Sequence, residues 1–470
     1  MIVLDDLGKA PLRQETILTI GAFDGVHRGH RALIQSVVNR ARATDRLAAL
    51  ITFHPHPALV LSSDPVAAAQ GFYLTTPGEK LVLLEGLGLD LVALLPFDRA
   101  LAGTPASDFM RAVAHHLRAR ELWVGPDFAL GRKKEGDIAT LQELGRELGY
   151  EVSVLRPVVD LAKGQSTVSS SRIRAALRDG HVGEAAEMLG RYFSVSGEVV
   201  SGARRGRKLG FPTANLQVRP ERALPANGVY AVYAVLGDVC YPAVANVGVR
   251  PSFDNGPRTL ETHLLDYEDD IYGCDLKVEF VARLREERRF ESPAALAAQV
   301  QRDLETARII LRAVGTDAVP GNGVSCPSAR EAEVPCHQGS EEVEHTADLA
   351  LRVWGRELCG LFAEAGRGMY RLMADVDGLA ATRWREIRLE AMDRESLLVS
   401  WLNELLFITE SEGLLFVEFI CRSVTETSLV AWVGGMPGHA TRSPVKAATF
   451  HDLAVLSDDA GWSALITFDA

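Results

Sequence analysis

GAFDGVHRGH, Gly21 to His30, follows the apolar run ETILTI and opens the helical pattern RALIQSVVNRARAT. A strand that ends in a glycine-rich turn and feeds a helix is the first half of a strand–helix–strand unit. Gly21, Gly25 and Gly29 let the backbone approach a ligand closely. The turn delivers a helix N-terminus, where unpaired N–H groups and the helix dipole favour an anion. His27 and His30 stand three apart at the helix entrance, so both imidazoles can face one ligand. The combination suits the phosphates of a nucleotide.

The alternation continues outward. LAALITFHPHP is a second strand, DLVALLPFD and ELWVGPDF are two more, DIATLQELGRELG is a helix and YEVSVLRPV a strand. This pattern predicts a parallel, Rossmann-like sheet with helices on both faces. Its ligand should lie at the carboxyl ends of the strands, where Asp24 to His30, His54 to His56 and Gly125 to Phe128 fall. VSSSRIR, Val168 to Arg174, adds three hydroxyls that can cap a helix and an arginine that can fork onto phosphate oxygens.

Near residue 185 the pattern changes to short alternating runs, YFSVSGEVVSGA, NGVYAVYAVLG, YPAVANVGV, TLETHLLD and LKVEFVARL. These predict an antiparallel barrel or sandwich, closed by the helix SPAALAAQVQRDLETARIILRAVG. Within it GARRGRKLGFPTANL, Gly202 to Leu216, offers a basic glycine loop, and no P-loop motif is present. Thr213 and Asn215 occupy alternate positions of an extended segment and point the same way. Their neutral oxygens suit Mg²⁺ held together with nucleotide phosphates. Glu261 and His263 share a face of the following strand, and a carboxylate there can take the proton of an attacking hydroxyl.

Residues 314–339 are rich in Pro, Gly, Ser and charge and read as a linker. From 340 to 470 strands (DLALRVWG, REIRLEAM, LFVEFICRSV, SALITFD) mix with two helices, ELCGLFAEAGRGMYRLMA and RESLLVSWLNELLFITES, which predicts an α+β domain. The boundaries are therefore 1–185, 186–313 and 340–470.

With 470 residues, 47% of them hydrophobic and 24% charged, the chain can form several cores. Its formal net charge of -12 gives no support for direct nucleic-acid binding, which needs a basic face. The six cysteines form no C-x-x-C pair and read as free thiols. The N-terminus lacks a signal-peptide pattern, and no apolar run reaches the ~18–20 residues of a membrane span, so a cytoplasmic protein is expected.

Four of these motifs taken together resemble a known family. GAFDGVHRGH, FHPHP, GPDFALG…GD and VSSSRIR are similar to the FAD synthetase module of bacterial bifunctional riboflavin kinase/FAD synthetases. The resemblance implies adenylylation of FMN by ATP with release of pyrophosphate. It assigns ATP phosphates to His27, His30 and Arg174, and flavin and nucleotide contacts to Gly21, Phe23, Asp24, Gly25, His56, Asp127, Phe128 and Ser170. Ala22 departs from the family, where Asn is frequent. GFPTAN, NGVYAVYA, ANVGVRPSF and LETHLLD resemble the riboflavin kinase module of the same enzymes. That resemblance implies phosphorylation of riboflavin to FMN, with Mg²⁺ and phosphate at Thr213 and Asn215, Glu261 as base for the ribityl 5′-hydroxyl, and Gly202, Arg207 and Gly210 in the phosphate loop. Ser252 stands where Thr is usual.

EHTADLALRVWGREL, DRESLLVSWLNELLFITESEG and the terminal GWSALITFDA resemble archease, a small domain that assists the RNA-splicing ligase. The resemblance implies a divalent metal, Ca²⁺, Mg²⁺ or Mn²⁺, at Asp348, Asp469 and the free carboxylate of Ala470, and an RNA-splicing ligase as partner. Two further readings stay open: a ligase partner whose flavin modules only bind ligand, and a nucleotidyltransferase with another acceptor.

Overall fold

The computed structural model describes the chain except residues 11, 156–158, 161–165, 202–210, 238, 250–257, 268, 289, 315–338, 344–348, 377, 439–444, 451–452, 459–460 and 470. The expected phosphate loop with Gly202, Arg207 and Gly210, the residue Ser252, most of the linker, and the metal candidates Asp348 and Ala470 therefore lie outside the described residues. What is described forms two compact units. One comprises residues 1–68, 75–167 and 337–470, the other 69–74 and 168–336.

In the first unit, β1 (Ile2–Leu4), β2 (Thr16–Ile20), β3 (Leu47–His54), β4 (Leu91–Pro96), β5 (Ala119–Val124) and β6 (Glu151–Val154) form the expected parallel sheet, in the order β1-β4-β3-β2-β5-β6. Successive strand residues face opposite sides. Ile17, Leu50 and Val92 bury one face against Ile34, Val37 and Val38 of the helix Arg28–Ala43 and against Leu81 and Leu84 of the helix Pro77–Glu85. Leu18, Ile51 and Leu122 bury the other face against Met110 and Val113 of the helix Ala106–His116 and Leu141 of the helix Ile138–Leu148. The chain runs from β2 outward through β3 and β4, then returns to place β5 on the other side of β2. The strand order reverses there, which opens a crevice at the carboxyl ends of β2 and β5. A short antiparallel pair, β7 (Val159–Asp160) and β8 (Ser166–Thr167), follows β6.

In the second unit, β9 (Phe193–Val200), β10 (Ala214–Leu216), β11 (Gly228–Leu236), β12 (Val239–Val249), β13 (Arg258–Leu264) and β14 (Asp275–Arg285) close a barrel in the order β10-β13-β12-β11-β14-β9. The pattern left a barrel or a sandwich open; closure decides for the barrel and leaves no unpaired edge. Phe193, Tyr230 and Phe280 fill its interior. The helices Ser170–Arg178 and Val182–Leu189 share that core through Ile173, Leu177, Ala185 and Leu189. The helix Pro293–Val314 lays Leu304, Ala307 and Leu311 on Val229, Ala231 and Tyr233, outside the barrel. Cys359 and Cys421 are free thiols, as read from the sequence, but Cys274 is disulfide-bonded, which its spacing from other cysteines did not reveal.

The C-terminal part belongs to the first unit. β15 (Gly339–Val343), β16 (Leu349–Gly355), β20 (Ala447–Thr449), β21 (Val455–Asp458) and β22 (Gly461–Asp469) form one sheet. β17 (Arg383–Glu390), β18 (Leu414–Val424) and β19 (Ser428–Pro437) form another, in the order β17-β19-β18. The two expected helices, Leu358–Met373 and Arg394–Glu412, pack with them around Phe362, Tyr370, Trp401 and Phe416. In this core Tyr370 Oη donates to Leu405 O at 3.0 Å, and Trp401 Nε1 to Phe362 O at 2.9 Å. Among the described residues no helix is long and apolar enough to cross a membrane.

Gly145 shows how tightly the sheet domain is packed. A Cβ there would lie 2.4 Å from Tyr150 O, although the residue is helical. Gly145→Ala should therefore destabilise the protein by about 1–3 kcal/mol, because overpacking outweighs a gain in helix propensity of at most about 1 kcal/mol. Calorimetry should show a lowered melting temperature.

Candidate active sites

The first site begins where β2 ends. Gly21 N donates to Ile51 O at 3.0 Å, which continues the parallel ladder between β2 and β3. The loop then turns sharply: φ is +48° at Phe23, +79° at Gly25 and +39° at Val26. Left-handed backbone at Phe and Val costs of order 1–3 kcal/mol each and persists only where the surroundings hold it. Four contacts do so. Thr52 Oγ1 donates to Ala22 O at 2.9 Å and Lys80 Nζ to the same oxygen at 3.0 Å. Thr75 N donates to Asp24 Oδ1 at 3.3 Å, and Gly25 N to Thr75 Oγ1 at 3.1 Å. Asp24, 2% exposed, thus shapes the loop from inside. Phe23 is likewise buried, and its ring lies edge-on to His30 with centroids 5.0 Å apart.

The loop ends at His27, the N-cap of the helix Arg28–Ala43. His27 Nδ1 accepts from His30 N at 3.3 Å, which places the proton of the neutral ring on Nε2. The two imidazoles stack with ring centroids 3.6 Å apart and planes 16° apart. Burial, then the neighbouring His27 and Lys80, hold His30 well below the usual imidazole range. At neutral pH it is an uncharged hydrogen-bonding ring rather than a cation.

Lys80 was missed in the sequence. It is 4% exposed, and burial pushes its ammonium down to about 8 even though Asp24 opposes the shift. At roughly 1.4 kcal/mol per unit, keeping this charge inside costs a few kcal/mol. The signal was there: TTPGEK is a capping box, with Thr76 N donating to Glu79 Oε2 at 2.8 Å and Glu79 N to Thr76 Oγ1 at 3.2 Å, and proline at the first helical position. That box starts the helix that aims Lys80 at the loop.

His56, Asp127 and Phe128 follow the ends of β3 and β5. His56 caps the short helix Pro57–Val60, its Nδ1 accepting from Ala58 N at 3.1 Å. Asp127 is exposed in the turn after β5, and Phe128 N closes that turn on Gly125 O at 3.3 Å. Ser170 and Arg174 belong to the second unit. There Ser169 is the cap, accepting from Arg172 N, and Ser170 is the first helical residue. Arg174 donates from Nε to Phe72 O at 2.7 Å and lays its guanidinium 3.9 Å from the Phe72 ring centroid.

The second site is built by barrel register. Asn215 on β10 lies directly opposite Glu261 on β13, and Glu261 lies opposite Asn246 on β12. Their strand neighbours Ala214, Leu216, Leu260 and Thr262 are buried, so this row lies on the outward-facing side of the strands. Asn246 was not singled out in the sequence, because register across strands is not written in spacing. His263 shares the side of Glu261, and its Nδ1 lies 2.6 Å from Pro212 O, which ties the segment carrying Thr213 to β13. A cavity of about 500 Å³ adjoins, lined by Thr213, His263, Asp266, Tyr267 and Arg308 among others.

At the third candidate site only Asp469 is described. It is exposed at the end of β22, with its carbonyl accepting from Lys446 N at 2.8 Å. Among the described residues no three His, Cys, Asp or Glu are grouped to hold a metal.

Comparison with known proteins matches three family models: FAD synthetase over residues 9–172, riboflavin kinase over 189–311 and the Archease protein family over 341–470. The bifunctional riboflavin kinase/FMN adenylyltransferase of Escherichia coli (strain K12) is 39% identical over 307 residues, 65% of this chain and 95% of that protein. The protein of the same description from Bacillus subtilis (strain 168) is 32% identical over 298 residues, 62% of this chain and 92% of its own. Among solved structures, one described as a macrolide-efflux protein from Streptococcus pneumoniae is 30% identical with a TM-score of 0.60, covering 65% of this chain and 98% of that one.

Replacing the buried ammonium tests the first site. Lys80→Met should cost nucleotidyl transfer ~10–100-fold, the scale expected when a reacting group is misplaced. An unfolded lysine titrates near 10.4 and Lys80 near 8, so between these values the unfolded chain binds the extra proton and stability rises with pH. Denaturation across that window should show the variant lacking this rise.

Proposed function

The chain belongs to the bifunctional riboflavin kinase/FMN adenylyltransferase family, and from that premise we propose which of its residues carry each reaction. The protein is a riboflavin kinase and an FMN adenylyltransferase, and its C-terminal part is archease-like. ATP, riboflavin, FMN and FAD are the substrates and products expected of that family.

In our reading residues 1–185 adenylylate FMN and 186–313 phosphorylate riboflavin. Adenylylation takes place on the Gly21–His30 loop. An oxygen of the FMN phosphate attacks the α-phosphorus of ATP, the α–β bridging bond breaks, and pyrophosphate leaves. The stacked His27 and His30 at a helix N-terminus carry this assignment. The imidazoles donate hydrogen bonds to phosphate oxygens, and the N–H groups of the first turn add partial positive charge. Lys80 brings a full charge beneath the same loop. Gly21 and Gly25 allow the backbone to approach the ligand, while Phe23 and Asp24 set the shape of the loop. By family resemblance Arg174 takes phosphate oxygens, with Ser170 beside it, and His56, Asp127 and Phe128 contact nucleotide or flavin.

Phosphorylation uses the row across β10 and β13. Glu261 removes the proton of the ribityl 5′-hydroxyl, whose oxygen then takes the γ-phosphoryl group of ATP, with ADP leaving. The pairing of Glu261 with Asn215 carries this assignment. Thr213 and Asn215 offer neutral oxygens at alternate positions, a donor set that fits Mg²⁺. When bound, Mg²⁺ neutralises charge on the transferred group. For the third domain we propose a divalent metal at Asp348, Asp469 and the Ala470 carboxylate, and activation of an RNA-splicing ligase.

Purified protein with riboflavin, ATP and Mg²⁺ should give FMN first and FAD after it on chromatography. Glu261→Ala should abolish FMN formation and leave FAD synthesis from added FMN. His30→Ala should do the reverse, and equal loss of both steps in both variants would overturn the two-site assignment.

A further inference from the structure

The helix Pro77–Glu85 is held on two sides. On one, Lys80 reaches the loop at Ala22 O. On the other lies the sheet β17-β19-β18 of the C-terminal domain. The contact is close at Gly78: a Cβ there would come within 2.9 Å of Ile420 Cδ1 and 3.0 Å of Trp384 Cη2. Leu81 and Leu84 share one apolar cluster with Ala381, Trp384 and Trp432, and both indoles are almost fully buried, at 0% and 1% exposure. Charge closes the rim. Arg422 pairs with Glu85 at the end of the same helix. Arg385, fixed on Glu412 at 2.9 and 2.7 Å, also reaches Asp5 Oδ2 at 3.7 Å.

Such packing differs from that of a module on a loose tether. Two buried tryptophans and a glycine on which Ile420 and Trp384 pack closely form the centre of a specific interface, with ion pairs at its edge. The surface they cover is the back of the element that positions Lys80. We propose that the archease-like domain is a fixed buttress of the adenylyltransferase site, acting through Gly78, Trp384 and Ile420 to hold the Pro77–Glu85 helix and thereby Lys80 and the Gly21–His30 loop. Lys80 is a positioning residue in this scheme. The proposal rests on the reading that this loop carries adenylylation.

The test uses the full chain and assays both reactions in each preparation. Gly78→Leu drives a side chain into the interface, and Arg422→Glu and Glu85→Arg are made singly and together. Gly78→Leu should lower kcat for FMN adenylylation about tenfold or more, with KM for FMN and riboflavin phosphorylation unchanged, because a displacement far from the chemistry acts on alignment. Each charge reversal should lower the same kcat, and the double exchange should regain it. Adenylylation at wild-type kcat in Gly78→Leu overturns the proposal. So does a parallel loss of phosphorylation, or a double exchange that recovers nothing its single reversals lost. His30→Ala separates the premise from the proposal: if it leaves adenylylation intact, the reading of the loop fails; if it abolishes adenylylation while Gly78→Leu does not, only the buttress fails.

Discussion

A single buried ammonium organises the first unit. Lys80 Nζ lies under the loop after β2 and donates to Ala22 O and Thr52 Oγ1. Burying a cation without a carboxylate in direct contact is costly. Here the cost is met by carbonyl and hydroxyl oxygens, with Asp24 near enough to favour the charge. In return a loop with left-handed Phe23 and Val26 is kept in one conformation, and its far end presents His27 and His30 at a helix N-terminus. The capping box at Thr76, the apolar face of Leu81 and Leu84, and the tryptophans beyond them all bear on where that ammonium sits.

On the proposed assignment, the two flavin sites answer the same problem, phosphate charge, in different ways. On that assignment the first relies on a helix end and on a pair of stacked imidazoles, of which burial keeps His30 uncharged. The second sets Asn215, Glu261 and Asn246 in one row across three strands, where the register of the barrel sets their spacing. A neutral donor set beside a carboxylate is what a phosphoryl transfer from a metal nucleotide requires. The product of this second reaction is the acceptor of the first, which gives one chain a use for both.

The larger part of the fold was legible because it rests on local patterns. Alternating strands and helices gave the parallel sheet, short two-residue periodicity gave the β-rich second module, and the glycine turn marked the start of the helix Arg28–Ala43. Several elements were not read. β19 and the helix Pro77–Glu85 were passed over, the latter because a short, apolar, proline-led segment has weak periodicity even with a good capping box. The division by motif at residue 185 also differs from the grouping by contact, in which the helices Ser170–Arg178 and Val182–Leu189 share the barrel's core.

From the sequence alone came the chemical inventory: two histidines at a helix entrance, Thr213 and Asn215 on alternate positions, Glu261 and His263 on one face. Such features depend on spacings of two to four residues, over which backbone geometry is nearly invariant. The tertiary structure decided what depends on long-range packing. It placed Lys80 under a loop more than fifty residues earlier in the chain, by the |i−j| = 58 separation of its bond to Ala22. It set Asn246 beside Glu261 through strand register, and it laid Trp384 and Ile420 on Gly78. No local period encodes these contacts, because each results from burying apolar surface between segments that only the folded chain brings together.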